Sequence, residues 1–404
     1  MPEMSRRGFL SASIGLAAAG AATSLPAMTW TDVLLAAADQ PILDGTGILV
    51  LITLYGGNDG LNTVIPVHES TYQDLRPELA YSADEVLNLD GTYGLNPGMT
   101  GMADLFANGS LAIVRGVGYP EPDRSHFRSM DIWQSASIDS SANTGWVGRW
   151  LDSAGADPLR ALHLGRVIPP LLVGKKTVGA LFSRDVRPSE SSIELIAALS
   201  RSDPGDSPAM RMVCDSYRSA AHVNQGLEPV LVEDGLMTDM PKSNDNELAQ
   251  QLDAVAACIS AEVPTRVYSV ELSGFDTHAD ARELQQNLLK TLDTAVTRFT
   301  KQISGGKHAK DVVIMAYSEF GRRVAANASD GTDHGTAGPV FIAGECVRGG
   351  FYGDEPTLTD LVDDDLKVTT DFRDVYHEIL VRVLGSDPEP VVGKGRKAIG
   401  FLEA

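Results

Sequence analysis

Six acidic or imidazole side chains stand just beyond apolar runs of this 404-residue chain. Asp59 follows residues 48–54, Asp276 and His278 follow 266–272, and Glu319 follows 312–317. Asp333 and His334 sit in the loop TDHGT after that. Carboxylate oxygens and imidazole nitrogens are donors for a divalent metal, Zn, Mn or a similar ion, one or two per chain, whereas harder ions prefer all-oxygen sets. Gly56, Gly57, Gly274, Gly321 and Gly335 beside them allow close backbone approach and turns closed to other residues. Singly, each donor has a plainer reading: Asp59 as a cap or Asx-turn, His278 as a loop histidine, Glu319 as a surface ion pair with the following arginines. Their common placement favours the metal. His68, His163, His222, His308 and His377 lack such company and are read as structural or exposed.

A candidate nucleophile lies elsewhere. Ser125 closes PDRS and opens an expected helix over 126–135, where free N–H groups and the helix dipole favour a developing anion. A metal can activate such a hydroxyl without a Ser-His-Asp triad, and no GxSxG elbow is present. Arg124 and His126 flank it and are candidates to bind substrate oxygens, with Arg115 and Arg128 behind them. An ordinary N-cap at Asp123 or Ser125 accounts for the same residues.

To bring these positions together the chain needs a sheet whose strands end at one edge. Short apolar runs closed by glycine predict buried strands over 48–54, 111–114, 266–272, 312–317 and 340–343, with shorter ones near Leu162 and Leu172. Helical spacing predicts helices over 99–107, 126–135, 192–199, 209–223, 247–259, 281–303 and 372–384. This alternation implies an α/β fold, a mostly parallel sheet with helices on both faces, whose functional crevice lies beyond the carboxyl ends of the strands. The acidic run at Asp363 to Asp365 reads as a solvated loop.

The N-terminal sequence SRRGFL, a weakly apolar Ala-rich stretch and a small-residue site at 36–38 form a twin-arginine export signal. The expected organisation is a signal over 1–38 and one domain over 39–404, with a helical insertion around 185–262. The expected location is periplasmic or extracellular, with the twin-arginine machinery as export partner and no permanent membrane span. A net charge of −21, from 54 Asp and Glu against 33 Lys and Arg, argues against nucleic acid as a partner. Cys214, Cys258 and Cys346 are too scattered for a zinc knuckle and allow at most one disulfide.

The segments SRRGFL, LYGGNDGLNTVIP, PDRSHFRSMDIWQS, GFDTHAD, SEFGRR, TDHGTAGP and DFRDVYHEIL together resemble the exported bacterial family catalogued as domain of unknown function 1501, across nearly the whole mature chain. That family is distantly similar to the alkaline phosphatase and sulfatase superfamily. The resemblance implies an acidic ligand at Asp59, a nucleophile at Ser125, and further ligands at Asp276, His278, Glu319 and His334. It also marks Glu319-Phe320 as a departure from the superfamily's Asp-His pair, with Asp333 as a substitute donor. The function expected is an exported metal-dependent hydrolase of phosphate or sulfate esters acting on a small anionic substrate. The alternative is a non-catalytic binding or assembly protein that keeps the fold and a structural metal.

Overall fold

The computed structural model describes residues 40–139, 141–165, 167–182 and 246–403. The export signal, the expected helices over 192–199 and 209–223, most of the expected insertion, His222 and Cys214 lie outside the described residues. Cys258 and Cys346 are free thiols.

Nine strands form one sheet: β1 (Ile48–Tyr55), β2 (Leu111–Gly118), β3 (Ala161–Leu164), β4 (Ala180–Phe182), β5 (Val267–Ser273), β6 (Val312–Ser318), β7 (Gly338–Ala343), β8 (Gly350–Tyr352) and β9 (Thr370–Asp371). Their order is β8-β2-β7-β6-β1-β5-β3-β4, with β9 also paired to β2. Only β7 runs against its neighbours, β2 and β6; every other pairing is parallel. The register places Leu54 beside both Leu272 and Ser318, so β5, β1 and β6 end level. Their following loops therefore emerge at one edge, and the loop leading into the reversed β7 returns there.

Side-chain alternation along β1 explains why both faces are covered. Val50, Ile52 and Leu54 join the core beneath α1 (Thr100–Ala107), α4 (Glu247–Ser260) and α5 (Ala281–Ile303). Leu49 and Leu51 face the core built by α2 (His126–Ser135), α3 (Trp146–Ser153) and α6 (Phe372–Arg382), where Trp133, Trp146, Trp150 and Val375 are buried. In α5 the buried residues Leu289, Leu292, Val296, Phe299 and Ile303 recur at steps of three and four, one helical stripe. Asp293 on α5 accepts from the main-chain N–H groups of Gly101 and Met102, supplying the cap that α1 lacks in its own sequence.

Leu172 is not in a strand. It closes a 3-10 turn, Pro170–Leu172, since Pro169 and Pro170 cannot donate to a ladder, and the edge strand forms later, at β4. Among the described residues no helix is long and apolar enough to cross a membrane.

His163 on β3 is buried, with Nδ1 3.2 Å from Ser269 Oγ, and burial pushes its imidazole down to about 4. The unfolded chain, with an imidazole near 6.5, takes up the proton first as pH falls, so the stability tied to His163 is whole above about pH 6.5 and lost toward pH 4. Denaturant unfolding at pH 4.5 against pH 7 is expected to show a loss of about 2–3 kcal/mol from this residue. The variant His163→Asn should flatten that limb; an unchanged limb refutes the assignment.

Candidate metal centre

In the loops that follow β1, β5 and β6, backbone carbonyls lie outside the ladder, and one buried guanidinium collects four of them. Arg322 donates from Nε to Gly57 O at 2.7 Å, from Nη1 to Thr332 O at 2.9 Å, and from Nη2 to Phe275 O at 3.0 Å and to Gly56 O. Nη2 also meets Asp276 Oδ1 at 2.6 Å. Gly56, at φ 118°, is required here: a Cβ would strike the Asp276 backbone. Arg322 and His334 are bridged as an antiparallel pair, so the β6–β7 loop folds back on itself at the same edge.

Three imidazoles converge on the oxygen that Arg322 holds. Asp276 Oδ1 lies 2.9 Å from His278 Nε2, 3.1 Å from His334 Nε2 and 3.3 Å from His126 Nε2. His126, Asp276 and His334 each present a ligand atom within 4.8 Å of the others, and His278 Nε2 is 3.0 Å from His334 Nε2. The opposite ring nitrogens fix the tautomers. His126 Nδ1 donates to Glu319 Oε1 at 2.9 Å, His334 Nδ1 to the Arg124 carbonyl at 2.8 Å, and His278 Nδ1 to Asp333 Oδ1 at 3.4 Å. A carbonyl and two carboxylates only accept, so each Nδ1 carries a hydrogen, and in its neutral form each ring turns a lone pair inward at Nε2. Lone pairs facing a carboxylate oxygen repel unless a cation lies among them. His126 Nε2 is buried without a hydrogen-bond partner, the mark of a missing acceptor of electron density.

The donor chemistry therefore fits a divalent metal. Imidazole-rich sets with one carboxylate suit Zn and related transition ions, and histidines oriented through Nδ1 by carboxylate or carbonyl are the usual support of such ions. Burial would raise the Asp276 carboxyl, but the Arg322 hydrogen bond and charge, with His334 and His126, bring it down to about 2, so it presents a negative oxygen at neutral pH. Phe320 is buried and packs 4.9 Å from the His126 ring and 5.1 Å from that of His334, limiting the tilt of both.

The residues anticipated from sequence divide into distinct groups. Asp276, His278 and His334 meet as donors, joined by His126, which had been read as a substrate-binding neighbour of Ser125. Glu319 and Asp333 come to the centre but through its Nδ1 side; Glu319 is buried and also accepts from Gly56 N at 2.9 Å and from Ser318 Oγ. Asp59 is not brought to the imidazoles. Its carboxylate pairs with Arg76 at 2.6 Å, both side chains fully buried, and Arg76 spends its other donors on Asn62, Val324 O and Arg323 O. Ser125 opens α2, exposed, with its main-chain N–H on Asp123 Oδ1 and its hydroxyl making no capping bond. Tyr119 holds that loop through Asp123 and Ser129.

Arg124 is not free for substrate either. Its Nε and Nη2 contact Asp365 Oδ2 at 2.8 and 2.5 Å, and Asp365, placed by sequence in a solvated run, is completely buried. Arg128 is held by Asp131 and the Ile138 carbonyl, and Arg115 by Glu355 and Gly353 O. Sequence reasoning missed Arg76, Arg322 and Asp365; the one signal for Arg322 was its place three residues after Glu319.

Residues 200–397 match the family described as "Protein of unknown function (DUF1501)". No curated protein matches the chain. Among solved structures it is similar to a protein of the alkaline phosphatase superfamily from Vibrio parahaemolyticus, at 10% identity and TM-score 0.44, covering 93% of this chain and 79% of the other. It is also similar to a lipoteichoic acid synthase from Listeria monocytogenes, at 10% identity and TM-score 0.38, covering 88% and 74%. A third is a putative sulfatase from Bacteroides fragilis, at 9% identity and TM-score 0.38, covering 89% and 80%.

The division between donors and the buried Asp59–Arg76 pair is testable. Asp276→Asn and His334→Ala are expected to lower affinity for Zn by roughly 100-fold or more in competition titrations, with the fold intact by circular dichroism. Asp59→Asn is expected to leave that affinity within about threefold while costing about 3–5 kcal/mol of stability, since it strands the Arg76 charge. Equal loss of Zn binding in all three variants would return Asp59 to the ligand set.

Proposed function

We propose that the chain is an exported metal-dependent hydrolase of phosphate or sulfate esters. The observation that carries this reading is the inward convergence of three imidazole Nε2 atoms and Asp276 Oδ1, one of those imidazoles, His126, directly following the exposed, uncapped Ser125 in the chain. His126, Asp276, His278 and His334 hold the ion, Zn or a similar one. Glu319, Asp333 and the Arg124 carbonyl orient the rings. Export rests on the SRRGFL leader, residues 1–38, and the mature protein on a single domain from residue 39 onward in the periplasm or outside the cell.

When bound, the ion would supply positive charge to stabilise the ester oxygens that gain charge during transfer. The remaining steps belong to side chains and backbone. Ser125 Oγ, losing its proton to solvent, displaces the ester's alcohol from phosphorus or sulfur, and water then cleaves the serine ester to release phosphate or sulfate; the free N–H groups at the start of α2 favour the charge that develops. Asp123 fixes the Ser125 main chain, and the Asp365–Arg124 pair fixes the residue before it. A rigid nucleophile of this kind pays its orientational entropy during folding rather than during reaction.

Ser125→Ala is expected to cut kcat on aryl phosphate or aryl sulfate esters by roughly 10³-fold or more while leaving bound Zn unchanged. Wild-type turnover by that variant would remove the nucleophile assignment. Stoichiometric metal with no turnover of any phosphate or sulfate ester by the native protein would favour a binding or assembly role.

A further inference from the structure

An anionic ester needs a cation in addition to the metal, and nearly every candidate is committed. The loops over 56–59, 119–126, 274–280 and 319–337 contain no lysine and three arginines, Arg124, Arg322 and Arg323. Arg124 is paired with Asp365, and Arg322 is buried on four carbonyls and Asp276. Arg323 differs. Its backbone is fixed on both sides, with N–H on Asp333 O at 3.0 Å and its carbonyl accepting from Arg76 Nη2 at 2.6 Å. Its half-buried side chain, however, makes no hydrogen bond or ion pair among the described residues.

The ribbon geometry says where that side chain belongs. Arg322 lies opposite His334, so Arg323 lies opposite Asp333, and successive side chains leave opposite faces. Arg322 turns to Asp276, and Arg323 leaves on the side of Asp333. There its charge is felt by both Asp333, which holds His278, and Asp365, which holds Arg124. Neither carboxylate comes within ion-pairing distance of it. An unspent guanidinium on a fixed backbone, between the partners of two groups at the centre, has five donors and a fork suited to a tetrahedral oxyanion.

Resting on the hydrolase reading, we infer that Arg323 binds the non-reacting oxygens of the substrate's tetrahedral oxyanion group. Phosphate and sulfate esters share that chemistry, so the test uses both inorganic anions. The Zn-loaded protein is titrated with phosphate and with sulfate by calorimetry, alongside Arg323→Gln and Arg323→Lys loaded to the same Zn content. The native protein is expected to bind at least one anion, the preferred one naming the ester class. Arg323→Gln should weaken that binding by roughly 10- to 100-fold, and Arg323→Lys should restore part of it without the fork. Binding by Arg323→Gln equal to the native protein overturns the assignment to Arg323 alone. No binding of either anion by the native protein overturns the hydrolase reading and this assignment with it.

Discussion

One buried guanidinium organises the functional edge of this protein. Arg322 binds carbonyls in the loops after β1, β5 and β6 and holds a single carboxylate, Asp276, in the position where the imidazoles meet. Burying a charge this deeply is costly unless its donors are all used, and here they are used on backbone from segments far apart in sequence. The same contacts that satisfy Arg322 therefore dictate the spacing of the loops after β1, β5 and β6. Removing the charge would strand several buried carbonyls at once and free the Asp276 carboxylate to move. The geometry of the centre is thus a consequence of satisfying backbone polarity at a sheet edge.

Around that frame the protein arranges acceptors outward and lone pairs inward. Glu319, Asp333 and the Arg124 carbonyl take the three Nδ1 hydrogens, which leaves the Nε2 lone pairs of the neutral rings facing Asp276 Oδ1, the oxygen Arg322 holds. Glu319 is itself anchored by Gly56 N and Ser318 Oγ, so the orientation of His126 is set by the same turn that Arg322 clamps. Arg124 is anchored by Asp365, and through its carbonyl that pair reaches His334. Each ring is held from behind by a group that is itself held.

The α/β architecture was legible because its strands are short apolar runs and its helices keep a strict stripe; the helices over 126–135 and 281–303 coincide with α2 and α5 in the structure. Candidate donors were legible because functional side chains follow strands in such sheets. What did not follow from sequence was the division of labour. Glu319 and His126 are equally good ligands as residue types, and only their pairing through Nδ1 separates orienting group from donor. The acidic run at 363–365 reads as solvated because charge alone does not say which member turns inward. In the structure Asp363 and Asp364 take left-handed conformations in a tight turn, and Asp365 is directed to Arg124. The Asp59–Arg76 pair was invisible for a similar reason: burial of both partners depends on packing by Tyr72, Asn62 and the Arg323–Val324 backbone.

Asp59 and Asp276 show why similar residues at similar strand ends come to different ends. Asp59 has its own buried arginine at 2.6 Å, which also donates to Asn62, Val324 O and Arg323 O, so displacing that guanidinium would abandon a buried charge and several hydrogen bonds. Asp276 also has an arginine at 2.6 Å, but Arg322 is held independently by carbonyls and Asp276 is about half exposed. A second cation can therefore share Asp276 without dislodging the first. Competition for a carboxylate is decided by what its present partner would lose, and by that measure Asp276 is available and Asp59 is not.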